Sequence, residues 1–321
     1  MILAGIDEAG YGPILGPLVV GCCAFDVNHD APDLPCLWSR LRRSVSKSRD
    51  KKGLRIHIND SKQVYCPSAG LKELERSVLA LVAATGSCPA TLDDLIARLA
   101  DHARSDLATH PWYVATPHEK FPLEQDGTSI RLLAKGLRDE MERSATRCVH
   151  LAARILPERH LNDQFKKTRN KSSVLFSASA VHLDGLIRSF GQMGLTVFCD
   201  RQGGREHYGH LLRLMFDEWS LEVVQEVEGL SEYALVQGRH RVRLIFREKA
   251  ESRCMSVAVA SMIAKYLREA LMHRFNAWWQ GLVPNLAPTA GYYTDGLRFL
   301  RDIDGKRREL GLHDADLVRS R

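Results

Sequence analysis

"MILAGIDEAGYGPILGPLVVGCCAF", residues 1–25, decides how the rest of the chain is read. Its "GYGPILG" invites a dinucleotide-cradling loop, which needs G-x-G-x-x-G between a strand and a helix so that backbone N–H groups and the helix N-terminus face a pyrophosphate. Here the third glycine, Gly16, falls one residue late, and Pro13 removes a backbone donor. The next stretch, "PLVVGCCAF", is β-branched and apolar and reads as a second strand rather than a helix. There remains a strand over residues 2–6 that ends in two carboxylates, Asp7 and Glu8, with glycines behind them. Adjacent acids repel a phosphate, so they point to a metal ion standing between them and it.

The 321 residues are 45% hydrophobic, enough for one large domain or two ordinary ones, and disorder is excluded. No apolar run approaches the ~18 residues of a membrane span, and the early acidic pair spoils a signal peptide, so a cytoplasmic protein is expected. Eight cysteines show no C-x-x-C pair, which indicates neither a zinc nor a redox motif and predicts reduced, mostly buried thiols. The net charge of +6 is moderate but clustered: "RLRRSVSKSRDKKGLR" (40–55), "KKTRNK" (166–171) and "GRHRVR" (238–243). Such clusters suit a phosphate backbone, although a charge run is more often a solvated loop.

Further along, "RIHINDSKQV" reads as a short strand entering an Asp-Ser-Lys turn, and a helix is expected over 69–84. "TLDDLIARLADHA" is helical, and "HPWYVATPHEKFPLEQDG", with three prolines, is an excursion. "VHLAARILP" predicts a strand, "SSVLFSASAVHLDGLIRSF" a helix, "LTVFCD" a buried strand stopping at Asp200, "GGREHYGHLLRLMFDEW" a helix and "VRLIF" another strand. Val257, Ala260, Ala264, Leu267 and Leu271 recur at helical spacing, and the alanines let that helix lie close against a sheet. An early hairpin followed by alternating strands and helices predicts an α/β fold with a mixed sheet.

Asp7, Glu8, Asp200 and Glu251 stand out together, the first three at strand ends and Glu251 at the opening of the alanine-rich helix. Open α/β sheets place their sites at such ends. Converging carboxylates suit Mg²⁺, and a pair of ions about 4 Å apart can activate water and clamp a scissile phosphate. Plainer roles stay open: Asp200 as a helix cap, Glu251 as a first-turn acid. A regular strand points Asp7 and Glu8 to opposite faces, so both reach one ion only if the backbone turns there, which Gly10 and Gly12 permit. His207 and His210, three apart on the expected helix, read as a surface pair, and Tyr292 and Tyr293 as loop packing or a stacking platform.

These stretches resemble the type 2 ribonucleases H (ribonucleases HII and HIII). "GIDEAGYGPILGPLVVG" is similar to that family's G-I-D-E-A-G-R-G-P strand, "NDSKQV" to its D-S-K turn, "TVFCDRQGG" to the strand carrying its third acid, "KAESRCMSVAVASMIAKYLREALM" to its K-A-D…A-A-A-S-I-I-A-K helix, and "TAGYYTDGLRFL" to its G-S-G-Y-P-S-D segment. The resemblance implies a single ribonuclease H-like domain over 1–321, a mixed sheet flanked by helices, with 252–321 a C-terminal helical part; residues 88–147, about which the resemblance says nothing, are expected to be an insertion. It implies an Mg²⁺- or Mn²⁺-dependent endoribonuclease that cuts RNA paired to DNA and leaves 5′-phosphate and 3′-hydroxyl ends; a monomer is expected. Asp7, Glu8, Asp200 and Glu251 would hold the metal, Lys62 a backbone phosphate, and Gly10, Tyr11, Gly12 and Tyr292 the ribose whose 2′-OH is read. Glu251 stands where the family usually has Asp, and Tyr11 where it has Arg. A nuclease redirected to another structured nucleic acid, or a non-catalytic hybrid binder, are the competing readings; four uncompensated acids beside a phosphate argue against the binder.

Overall fold

The computed structural model describes residues 1–29, 33–116, 118–202 and 204–320. The strands are β1 (Ile2–Ala9), β2 (Leu18–Val27), β3 (Val45–Ser46), β4 (Ile56–His57), β5 (Thr146–Leu156), β6 (Leu195–Asp200), β7 (Ser220–Val227), β8 (Leu230–Gln237) and β9 (His240–Arg247). The helices of eight or more residues are α1 (Lys72–Ala84), α2 (Leu92–Ala100), α3 (Gly127–Arg143), α4 (Glu158–Thr168), α5 (Lys171–Phe190), α6 (Met255–Leu282) and α7 (Tyr293–Asp302). Seven strands form one mixed sheet in the order β5-β2-β1-β6-β9-β8-β7, and β3 and β4 form a small parallel pair. β1 is antiparallel to β2 and parallel to β6, which is parallel to β9. The expected α/β class, with helices on both faces of a mixed sheet, is what is found.

Alternation along β1 serves both faces. Ile2, Ala4 and Ile6 join the apolar layer under α5, whereas Leu3 and Ala9 join the larger one around α6. Gly5 and Gly21 exist for α6: a Cβ on Gly5 would lie 2.2 Å from the Ser256 carbonyl carbon, and one on Gly21 would lie 2.1 Å from the Ala260 oxygen. The small residues of α6 therefore approach β1 and β2 most closely at these two glycines, and the helix is buried for most of its length.

Several expectations change. β1 runs through both acids to Ala9 instead of stopping at residue 6, because β2 keeps pairing with it: Asp7 is opposite Gly21 and Glu8 opposite Val20. The backbone turn comes only at Gly10, whose φ is +88°. The helix expected in "GGREHYGHLLRLMFDEW" shrinks to Gly209–Met215. Tyr208 holds the preceding loop, stacked 3.7 Å from Phe246 while its hydroxyl accepts from the Gln202 N–H. β7 and β8 form, with β9, an antiparallel meander where helix alternation was expected.

Segment 88–147 is built into the larger core. Trp112 and Tyr113 are buried against α6, and the buried Arg274 of α6 donates to Glu119, Asp93 and the Tyr113 carbonyl. Among the described residues no helix is long and apolar enough to cross a membrane.

Candidate active site

The carboxylates gather where β1 and β6 end. Asp7 lies on the α6 side of the sheet, in hydrogen-bond contact with Ser261, and its Oδ1 accepts the Glu8 N–H at 2.7 Å. Ser261 Oγ is 3.1 Å from Ser61 Oγ, which ties α6 and β1 to the Asp-Ser-Lys turn. Glu8 takes the opposite pleat. Even so, it is within electrostatic reach of Asp200, Glu251 and Lys62, because all of them stand at the sheet's end. Convergence therefore needs no turn between the two acids; the strand end itself provides it.

Asp200, the last residue of β6, accepts the Ala250 N–H at 3.0 Å. That bond ties it to the next segment of the site and not to a following helix, so the capping alternative fails. Glu251 sits in a 3₁₀ turn, Ala250–Ser252, ahead of α6 rather than in the helix's first turn. Lys249, with φ of +55°, starts this turn in the left-handed region, a strained conformation for a residue with a side chain. Glu251 is also in hydrogen-bond contact with Asp200.

Burial sets the electrostatics. It pushes the Asp7 carboxyl well above its ordinary range, helped by Glu8 and Asp200. Burial first and Asp200 next raise Glu8 to about 7, with Lys62 opposing. Asp200 and Glu251 are raised as well, chiefly by burial. Glu8 Oε2 and Glu251 Oε2 are buried without a hydrogen-bond partner. Unpartnered carboxylate oxygens that repel one another fit a divalent cation, the one charge that would relieve both costs. Among the described residues, no three of these acids bring one oxygen each within 4.8 Å of the others.

Lys62 is exposed beside the cluster, on a short helical turn capped by Asp60, whose Oδ1 accepts the Lys62 N–H at 3.0 Å. Asp60 also lies in electrostatic reach of Glu251. The "DSK" pattern led only to Lys62, so this fifth acid was missed.

The Gly10–Gly12 turn is fixed from three sides. A Cβ on Gly10 would be 2.6 Å from both Arg268 Nε and the Pro17 carbonyl oxygen. Arg268, buried on α6, donates to the Ala290 carbonyl at 2.9 Å. The Gly291 carbonyl accepts the Ile14 N–H at 2.8 Å. Arg319 donates to the carbonyls of Gly10 and Tyr11, and its own N–H reaches the Ile14 carbonyl. Burial pushes the Arg319 guanidinium down to about 10. Gly16 N–H donates to Glu158, which also accepts from the Tyr113 hydroxyl at 2.8 Å. Neither Arg268 nor Arg319 has a sequence signal beyond being an arginine.

Tyr292, about half exposed, faces Gly12, with its ring edge 4.0 Å from where a Gly12 Cβ would lie. Tyr11 is partly buried, and Lys171 Nζ stands 4.8 Å over its ring. His207 and His210 are exposed; His207 precedes the helix and pairs with Glu226, and no third ligand joins them among the described residues. Of the basic clusters, Arg241 and Arg243 of β9 are engaged by Glu222 on β7 and Glu232 on β8. Lys47 donates to the Ser252 carbonyl beside Glu251, so the first cluster borders the acids.

No family model matches the chain, and no curated protein matches it. Among solved structures it is similar to ribonuclease HII of Archaeoglobus fulgidus in its complex with PCNA, at 16% identity over 100% of this chain and 95% of that one, with a TM-score of 0.44. It is similar to ribonuclease H2 of Pyrococcus horikoshii OT3 at 14% identity over 99% and 92%, TM-score 0.46. A third is Bst ribonuclease HIII in complex with Mn²⁺, at 14% over 99% and 66%, TM-score 0.43. These are type 2 ribonucleases H. At such identities and TM-scores the likeness carries nothing about the site, whose chemistry rests on its own residues.

Proposed function

We propose that this protein is a divalent-metal-dependent endoribonuclease that hydrolyses the RNA strand of RNA–DNA hybrids and leaves 5′-phosphate and 3′-hydroxyl ends. The observation that carries the reading is the gathering of Asp7, Glu8, Asp200 and Glu251, from three distant segments, into one cluster with raised carboxyl pKa values and two unpartnered buried oxygens. A cluster kept only for stability would be better replaced by apolar side chains.

Asp7, Glu8, Asp200 and Glu251 would hold Mg²⁺ or Mn²⁺, which supplies charge neutralisation at the scissile phosphate and lowers the pKa of attacking water. Ser261 and the Glu8 N–H orient Asp7, and the Ala250 N–H orients Asp200. Lys62, the cation in reach of Glu8 and Asp200, would bind a non-bridging oxygen of a neighbouring phosphate. The Gly10–Gly12 turn, its carbonyls taken by Arg319, is rigid enough to present its backbone to a ribose 2′-hydroxyl, with Tyr292 available to stack on the sugar.

The test is cleavage, with Mg²⁺ or Mn²⁺, of a uniform hybrid, a DNA duplex with one embedded ribonucleotide, all-DNA and all-RNA duplexes, with Asp7→Asn as control. Cutting confined to the RNA of hybrid substrates and lost in Asp7→Asn is expected. Equal cutting of all-DNA, or full activity in the variant, overturns the reading.

A further inference from the structure

One cluster on the α5 side of the sheet is unused by the proposed chemistry. Cys22 on β2, His150 on β5 and His182 on α5 each place one ligand atom so that all three lie within 4.8 Å of one another. The sheet dictates the first two. Cys22 is opposite Ala152 and Ala24 is opposite His150, so Cys22 and His150 are diagonal neighbours on one face of the ladder. α5 covers that face and lowers His182 onto it. Cys22 and His182 are buried, while His150 is partly exposed and gives access from solvent.

His182 has the arrangement of a ligand already oriented. Its Nε2 lies 3.1 Å from the Val20 carbonyl oxygen. A carbonyl can only accept, so Nε2 carries the proton and Nδ1 keeps the lone pair. A ring nitrogen that donates to a backbone carbonyl while the other is left bare is how proteins fix the tautomer and direction of a metal-binding imidazole. Burial keeps the imidazoles of His182 and His150 neutral, which is their ligand form, and at His182 His150, Arg154 and His102 add to this, opposed by the bond to the Val20 carbonyl. Burial, with Cys148 adding to it, holds the Cys22 thiol protonated, so an ion must displace that proton to bind.

We propose that Cys22, His150 and His182 form a second metal site, specific for a borderline-soft ion of the Zn²⁺ class and separate from the carboxylate cluster. One thiolate and two imidazoles suit such an ion and leave a fourth tetrahedral position, whereas Mg²⁺ and Mn²⁺ prefer the all-oxygen cluster. The Cys22 thiol gives its proton to solvent as the sulfur–metal bond forms. The ion joins β2, the edge strand β5 and α5. The absence of a C-x-x-C pair hides the site from the sequence, because its ligands are 128 and 32 residues apart along the chain.

Cobalt(II) is the probe, titrated anaerobically into the EDTA-treated full-length protein. A thiolate ligand gives an intense near-ultraviolet charge-transfer band that carboxylate-bound cobalt lacks. One equivalent of band-forming Co²⁺, displaced by Zn²⁺, is expected in the wild type, in Asp7→Asn and in Cys66→Ser, which removes an exposed thiol outside the cluster. Loss is expected in Cys22→Ser and in His150→Ala, the latter at a partly exposed position and checked for folding by circular dichroism. No band in the wild type, or an undiminished band in folded His150→Ala, overturns the proposal. Asp7→Asn is in the set because the site stands or falls independently of the nuclease reading.

Discussion

Replacing Glu8 by Gln should make the protein more stable and inactive at once, with a gain that depends on pH in a definite direction. The Glu8 carboxyl is raised from 4.5 to about 7, first by burial and then by Asp200. At about 1.4 kcal/mol per pH unit, keeping it ionised in the folded state costs up to roughly 3 kcal/mol. The sign is set by which state releases the proton first. Below pH 4.5 both states are protonated and the cost vanishes. Between 4.5 and 7 the unfolded chain ionises first, so stability falls as pH rises, and above 7 the full cost applies. Glutamine matches the protonated shape and cannot ionise. In urea unfolding with EDTA present, Glu8→Gln should therefore exceed the wild type by about 2–3 kcal/mol at pH 8 and by almost nothing at pH 4.5, with m unchanged. Saturating Mg²⁺ should close the gap at pH 8, because it binds the folded wild type more tightly than the variant. An equal difference at both pH values, or a less stable variant at pH 8, would refute the view that Glu8 is held ionised against burial and like charge.

Three further outcomes are expected. Gly21→Ala, whose Cβ would meet the Ala260 carbonyl oxygen at 2.1 Å, must push α6 off the sheet and should lose about 1–3 kcal/mol or more in urea unfolding; unchanged stability would contradict the close contact. Asp200→Asn should abolish cleavage while leaving hybrid binding in a gel-shift assay intact or tighter, since it removes a metal-binding charge that also repels phosphate; near-wild-type turnover would remove Asp200 from the chemistry. Tyr11→Arg should raise cleavage at a single embedded ribonucleotide more than on continuous hybrid, because a guanidinium adds charged, planar donors where Tyr11 has one hydroxyl; equal change on both substrates would mark Tyr11 as packing.

How much was legible depends on where each signal came from. The strand of Asp7 and Glu8, its hairpin partner, the strand of Asp200 and the alanine spacing of α6 are local patterns backed by burial, and they survive folding. β7 was invisible because it is a sheet edge exposed along almost its whole length, with no alternation to read. The helix expected around His207 was shortened by a tertiary contact, the Tyr208–Phe246 stack, that no local pattern contains. Glu251 was legible as an acid before a helix but not as part of a 3₁₀ turn hydrogen-bonded to Asp200, which depends on a segment fifty residues away. Arg268, Arg319 and Glu158 could not be found at all, since their roles come from what they reach rather than from what surrounds them in the chain.

The latch of Arg319 on Gly10 and Tyr11 also has a consequence in time. Gly10 leaves the ribosome 309 residues before the guanidinium that binds its carbonyl, an interval of roughly 15–60 s at ordinary elongation rates. Through that interval the turn lacks its last anchor, and its carbonyls are left to water. The turn that the proposed function sets against the ribose thus reaches its final form only when synthesis has passed residue 319, so a nascent chain still at work on the ribosome carries the four acids without the rigid turn beside them.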